Sequence, residues 1–153
     1  VNTVSVYLIT FLVLGRETRY RADESRKYRN IHLEHSQLEF YAQEITRIMD
    51  ASKPYLESDF SLSRLSKLVN ISEHILSYVF SEYFGRNFTQ IVTGYRILEA
   101  KRLLKDPAKN HFSIAGISAE CGFHSLSSFN TAFKKDTSIT PSEYKKRRRR
   151  EFL

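Results

Sequence analysis

Apolar residues recur in steps of three and four through two separated stretches, and the two stretches match each other. The first is "LSRLSKLVNISEHILSYVFSEYFG", Leu62 to Gly85; the second is "IAGISAECGFHSLSSFNTAFKKDTS", Ile114 to Ser138. Leu62 pairs with Ile114, Leu65 with Ile117, Val69 with Cys121 and Ile71 with Phe123. One extra residue then enters the second copy, after which Ser72 pairs with Ser125, Leu76 with Phe129 and Phe80 with Phe133. Each copy predicts a short amphipathic helix, a tight turn and a longer helix, the pattern of a helix-turn-helix. In the first copy the short helix carries Leu62, Leu65, Leu68 and Val69 as its apolar stripe. The turns fall near Asn70 and Gly122, residue types that tolerate positive φ. Ser72 and Ser125 stand where the longer helix wants an N-cap. Ser66 and Ser118 occupy matching places, where a small side chain lets two helices cross closely.

Between the copies, "NFTQIVTGYRILEAKRLLKDP" keeps helical spacing through Ile91, Tyr95, Leu98, Arg102 and Leu103 until Pro107 stops it. From Asn87 to Lys105 this helix is about 28 Å long at about 1.5 Å per residue. One turn of B-DNA is about 34 Å, so a rigid connector of this length suits two reading helices in successive grooves. After the second copy, Thr140, Pro141 and Glu143 form a capping box that predicts a last short helix with Tyr144 turned inward. Lys145 to Arg150 are six basic residues in a row, and 147–153 is expected to be a disordered basic tail.

Upstream, Leu38, Tyr41, Ile45 and Ile48 alternate steps of three and four and predict an amphipathic helix within Ile31 to Met49. Its stripe is either a homodimerising coiled coil or a surface packed on the following domain. Before it, "VNTVSVYLITFLVLG", Val1 to Gly15, has no charge and is followed by Arg16, Arg19, Arg21, Arg26, Lys27 and Arg29. An apolar run ending in a basic cluster reads as the last part of a transmembrane helix with a cytoplasmic continuation. The alternative is a buried element of a neighbouring domain. The first residue is Val, which suits a piece of a longer protein.

The chain of 153 residues has 24 Lys+Arg against 17 Asp+Glu, a formal charge of +7. That excess favours an anionic partner, nucleic acid or membrane surface. One cysteine permits no internal disulfide. Cys121 and His124 are too few to make a zinc site, and the repeat places Cys121 at a core position. His32 and His35 lack a third ligand and read as surface residues. No cofactor, metal or catalytic constellation is expected.

With these residues in view, the region from about Pro54 to Arg147 resembles the DNA-binding domain of the AraC/XylS family of transcription regulators. "CGFHSLSSFNTAFKKDTSITPSEY" carries its Gly-Phe, Ser, Phe, Phe-Lys, Thr-Pro, Tyr pattern, and "NFTQIVTGYRILEAKRLL" its connector helix. The segment "KPYLESDFSLSRLSKLV" looks like a branch in which the domain follows a membrane segment. The resemblance implies an all-α fold: two helix-turn-helix subdomains joined by a long linker helix over 54–146, preceded over 16–53 by a basic juxtamembrane linker and the amphipathic helix. It implies double-stranded DNA as partner, with RNA polymerase a further one, and no enzymatic activity. Its recognition helices would be Ser72 to Phe84 and Ser125 to Asp136.

Carried over residue by residue, the base-contact candidates are His74, Ser77 and Tyr78 in the first helix and Leu126, Ser127, Asn130 and Thr131 in the second. Phosphate candidates are Arg86, Lys134 and Lys135. Asn130 suits bidentate pairing with adenine, and Leu126 and the Thr131 methyl suit a thymine methyl. Ser77 and Ser127 are alternatively solvated, and Tyr78 alternatively packs on the linker helix. Three positions depart from the family pattern. Ser138 replaces a usual glycine, where a left-handed helix end would cost about 1 kcal/mol; Ser118 replaces alanine; Thr131 replaces a common arginine. A competing reading is a membrane-tethered helical interaction adaptor that does not read DNA. An alkyl-acceptor enzyme using Cys121 is another.

Overall fold

A computed structural model describes residues 33–151. Among them are seven α-helices: α1 (His35–Ser52), α2 (Leu62–Val69), α3 (Glu73–Glu82), α4 (Phe88–Lys105), α5 (Ile114–Glu120), α6 (Leu126–Thr137) and α7 (Pro141–Glu151). Short 3-10 turns stand at Pro54–Leu56 and Pro107–Lys109. No strand occurs among the described residues. The chain divides into two compact units. Of the described residues, one unit holds 33–54 together with Ser61–Gln90; the other holds Tyr55–Phe60 and 91–151.

The first unit is α1, α2 and α3, with the first turn of α4. Helix α1 opens with a reciprocal capping box between Glu34 and Gln37 and ends at Lys53 in the left-handed region, with φ 46°. It buries Ala42, Ile45 and Met49 and packs against α2 and α3. The predicted stripe is therefore rotated slightly: Leu38, Tyr41 and Ile48 are half-buried at its margins. Of the two readings of this helix, packing on the following domain is what its buried face does. Leu65 of α2 and Leu76, Val79 and Phe80 of α3 are fully buried, as Leu-to-Phe spacing on one helical face requires. Leu68 corrects the expected stripe: it is 52 % exposed. Leu65 takes the inward position of α2, and Leu68, about 60° around the helix from it on the side away from Val69, is left in solvent.

The second unit is the body of α4 with α5, α6 and α7. Ile97, Ala100, Leu103 and Leu104 of α4 meet Ile117, Cys121, Phe129 and Phe133 in one buried cluster. Phe112, Ile114, Phe123, Ala132 and Tyr144 pack around it. The inward position of Tyr144 is as read from sequence: its ring meets Phe133 edge-on at 5.4 Å. Helix α4 buries more than one face, including Tyr95 and the Glu99 carboxylate, which accepts two bonds from Arg102 at 3.0 and 2.7 Å.

Four serines start the four helices of the two repeats. Ser61, Ser72, Ser113 and Ser125 each accept from the backbone N–H three residues on, at 3.3, 3.4, 3.0 and 3.1 Å. Each satisfies a donor that the helix leaves orphaned. The two turns also close alike. Ile71 N–H donates to Ser66 O at 3.2 Å, and Phe123 N–H donates to Ser118 O at 3.1 Å. Asn70 and Gly122 hold the positive φ of the turns, 53° and 78°. The capping box of α7 is complete, with Thr140 N–H donating to Glu143 Oε2 at 2.8 Å and Glu143 N–H donating to Thr140 Oγ1 at 3.3 Å. From that start α7 continues through Glu151. Lys and Arg are good helix formers, and the helix is anchored at its base.

Helix α6 ends left-handed at Ser138, with φ 64° and its N–H donating to Lys134 O at 2.8 Å. Ser138 is solvent-exposed, and its Cβ adds local backbone cost without any packing in return. Ser138→Gly is expected to raise unfolding free energy by about 0.5–1 kcal/mol, read as an increased urea midpoint at unchanged slope.

The apolar segment 1–15, the basic residues to Arg29 and His32 lie outside the described residues. No helix among the described residues is long and apolar enough to cross a membrane.

Candidate nucleic-acid interface

Helix α6 separates its residues into two faces. Phe129 and Phe133 are fully buried, with ring centroids 5.5 Å apart, and Phe129 meets Phe123 edge-on at 5.1 Å. On the other side Leu126, Ser127, Asn130 and Thr131 are exposed, followed by Lys134 and Lys135. Steps of three and four put Ser127, Asn130, Thr131 and Lys134 along one stripe. All six of these α6 candidates thus share a solvent-facing surface, on which Ser127, Asn130 and Thr131 are short and polar. Leu126 is 43 % exposed, an apolar side chain at the helix start with no core to enter.

In the first unit the candidates on α3 are less uniform. His74 is exposed, whereas Ser77 and Tyr78 are half-buried. Arg86 is half-buried in the turn after α3, and its N–H donates to Phe80 O at 3.1 Å. The α3 surface therefore presents one fully accessible polar side chain among its three base-contact candidates.

Two side chains that brace the α6 surface had no local signal. Arg96 of α4 donates from Nε to Tyr55 O at 2.7 Å and from Nη2 to Glu57 O at 2.9 Å, and stands 5.8 Å from the Phe123 ring centre. It straps the 55–60 segment beside the turn that starts α6. Burial lowers its pKa, yet a guanidinium stays charged at any ordinary pH. Lys101 of α4 is ion-paired with Asp136 in the last turn of α6. Neither contact follows from spacing, because the partners lie far along the chain.

Cys121 and His124 do not form a site. Cys121 is fully buried and His124 is exposed. No group of three or more metal-ligating side chains occurs among the described residues. Burial first, then the charges of Glu99 and Glu120, pushes the Cys121 thiol from an ordinary 9.0 to about 12. A thiol held protonated and covered is a poor nucleophile, against the alkyl-acceptor reading. The raised folded-state pKa also carries a pH dependence. The stabilising contribution is whole below about pH 9 and is lost as pH rises toward 12, because the unfolded thiol ionises first. Urea midpoints across that window are expected to fall more steeply for the native protein than for Cys121→Ala.

A serine-capped helix, a left-handed turn and a second helix with a small polar outer face, built twice, define a double helix-turn-helix of the kind that reads DNA. The helix-turn-helix domain family matches residues 65–147, so the chain belongs to that family and carries an AraC-type DNA-binding domain. The HTH-type transcriptional activator RhaR of Escherichia coli K12 is 30 % identical over 90 residues, 59 % of this chain and 31 % of that protein. The chain therefore spans under a third of the length of the curated relatives it matches. Among solved structures, the C-terminal domain of the two-component response regulator yesN from Fusobacterium nucleatum is 32 % identical, with TM-score 0.59, covering 69 % of this chain and 98 % of that one. A DNA-binding transcriptional dual regulator from Escherichia coli K-12 is 25 % identical, with TM-score 0.62, covering 70 % and 93 %.

Proposed function

We propose that this protein is a sequence-specific transcription regulator in which α3 and α6 read adjacent major grooves. The observation that carries this is the exposed face of α6, where Ser127, Asn130 and Thr131 leave short polar groups and Lys134 and Lys135 follow toward phosphate. Asn130 is assigned to adenine N6 and N7, and Leu126 to a thymine methyl. His74, Ser77 and Tyr78 read the other groove, with Arg86, Lys134 and Lys135 on phosphates. Phosphate contacts supply most of the affinity, which makes it salt-dependent.

The activator RhaR and the response regulator yesN support an output role in a signalling protein that recruits RNA polymerase. The uncharged run 1–15 and the basic cluster after it support anchoring of that output at the cytoplasmic face of the inner membrane. Homodimerisation through 31–49 uses the side of α1 left over from packing, where Phe40 is 58 % exposed.

Selection of bound sequences from a random DNA pool tests the reading. Enrichment of two elements about one helical turn apart is expected. Asn130→Ala then relaxes preference at one position, at a cost of about 1–3 kcal/mol for the preferred base. Failure of the native protein to enrich any motif sinks sequence-specific reading.

A further inference from the structure

The family match ends at residue 147, but α7 and its charge do not. Residues 145–150 are all Lys or Arg, and the helix backbone continues through Glu151. Its base is fixed three ways. The Thr140–Glu143 box caps it, Tyr144 sits against Phe133, and Lys145 Nζ donates to Asn110 O at 3.1 Å and Phe112 O at 2.8 Å. Lys145 is thus spent on holding the helix, and Lys146 and Arg147 beyond it are exposed.

Resting on the reading of α6 as a DNA-recognition helix, we propose that α7 is a further DNA-contacting element whose basic residues 146–150 bind backbone phosphates beside α6. Position supports this. Helices α6 and α7 belong to one compact unit and pack on each other. The last turn of α6 carries Lys134 and Lys135, both exposed. The Glu143 carboxyl lies within the field of both Arg147 and Lys134, which adds to the larger lowering from its Thr140 hydrogen bonds. Lys134 near the end of α6 and Arg147 of α7 both lie close enough to Glu143 to act on its charge.

Charge density supports it too. Lys146 and Arg150 stand four apart, Lys146 and Arg149 three apart, a spacing at which like charges repel on a helix. A polyanion relieves that repulsion. Contact with phosphate carries no sequence information, so its contribution is the same on any duplex. A lipid surface is the poorer match. Membrane-surface helices need an apolar face; residues 145–151 of α7 include no apolar side chain, and Tyr144 before them is packed against the core.

The test compares the native protein with a variant in which Lys146, Arg147, Arg148, Arg149 and Arg150 are changed to Gln. Binding to a selected duplex and to unrelated DNA is measured across a salt series. Each lost phosphate contact lowers the slope of log affinity against log salt by about 0.9. The variant is expected to lose about 2–4 in slope and about tenfold or more in affinity, equally on both DNAs. An unchanged slope and affinity overturns the proposal. Native protein that binds no DNA at all would instead overturn the reading of α6. Independently of the variant's folding, Lys146 in the native protein is expected to be protected from acetylation by bound duplex, and equal reactivity with and without DNA counts against the contact. Protection by phosphatidylserine vesicles but not by duplex assigns the run to the membrane and also overturns the proposal.

Discussion

Gly122→Ala is expected to cost about 2–5 kcal/mol of stability, the sum of a left-handed backbone penalty and an overpacking term. The residue holds φ +78°, and a Cβ there would lie 2.6 Å from Leu56 O and 2.7 Å from Tyr55 O. Those are backbone atoms and cannot rotate aside. Tyr55 O is also the acceptor of the 2.7 Å bond from Arg96, so displacing the strap loosens the brace beside α6 as well. Equilibrium urea unfolding measures the loss, and a change under about 0.5 kcal/mol, the range of a neutral surface substitution, would contradict this account of the turn. Asn70→Gly in the first repeat is the contrast. Asn70 holds a similar φ but is exposed, so relieving its backbone there is expected to be neutral or slightly stabilising.

Phe129→Ala is the second large effect, an expected loss of about 3–5 kcal/mol. The ring is fully buried and touches Phe123 and Phe133. Removing it leaves a cavity under the face that carries Asn130 and Thr131. Stability by urea unfolding and affinity for a selected duplex are expected to fall together, whereas Asn130→Ala lowers affinity and leaves the urea midpoint in place. A Phe129→Ala protein of near-native stability would mean that α6 is not seated on this core. The contrast between neighbouring residues separates the buried support from the outward face.

Much of the fold was legible because its determinants are local. The caps at Ser72 and Ser125, the Thr140–Glu143 box, the stop at Pro107 and the turn residues Asn70 and Gly122 act over three or four positions, and each occurs where the spacing places it; the caps at Ser61 and Ser113 follow the same local rule but were not singled out. The face of α6 was legible for the same reason. Once Phe129 and Phe133 are assigned inward, helical geometry leaves Ser127, Asn130 and Thr131 outward. On α3 the same reasoning carried less far, since Ser77 and Tyr78 are half-buried by neighbours that periodicity does not identify.

Sequence alone thus determined the helices, their caps and the repeated helix-turn-helix, because hydrogen bonds and apolar periodicity within a segment depend only on that segment. Tertiary structure decided what segments do to one another. It turned the stripe of α1 onto α2 and α3, left Leu68 in solvent and strapped the 55–60 segment with Arg96 across the turn at Gly122. It also paired Lys101 with Asp136 and seated α7 through Lys145. These contacts join residues separated by tens of positions, and their energies depend on distances in space that no local pattern encodes.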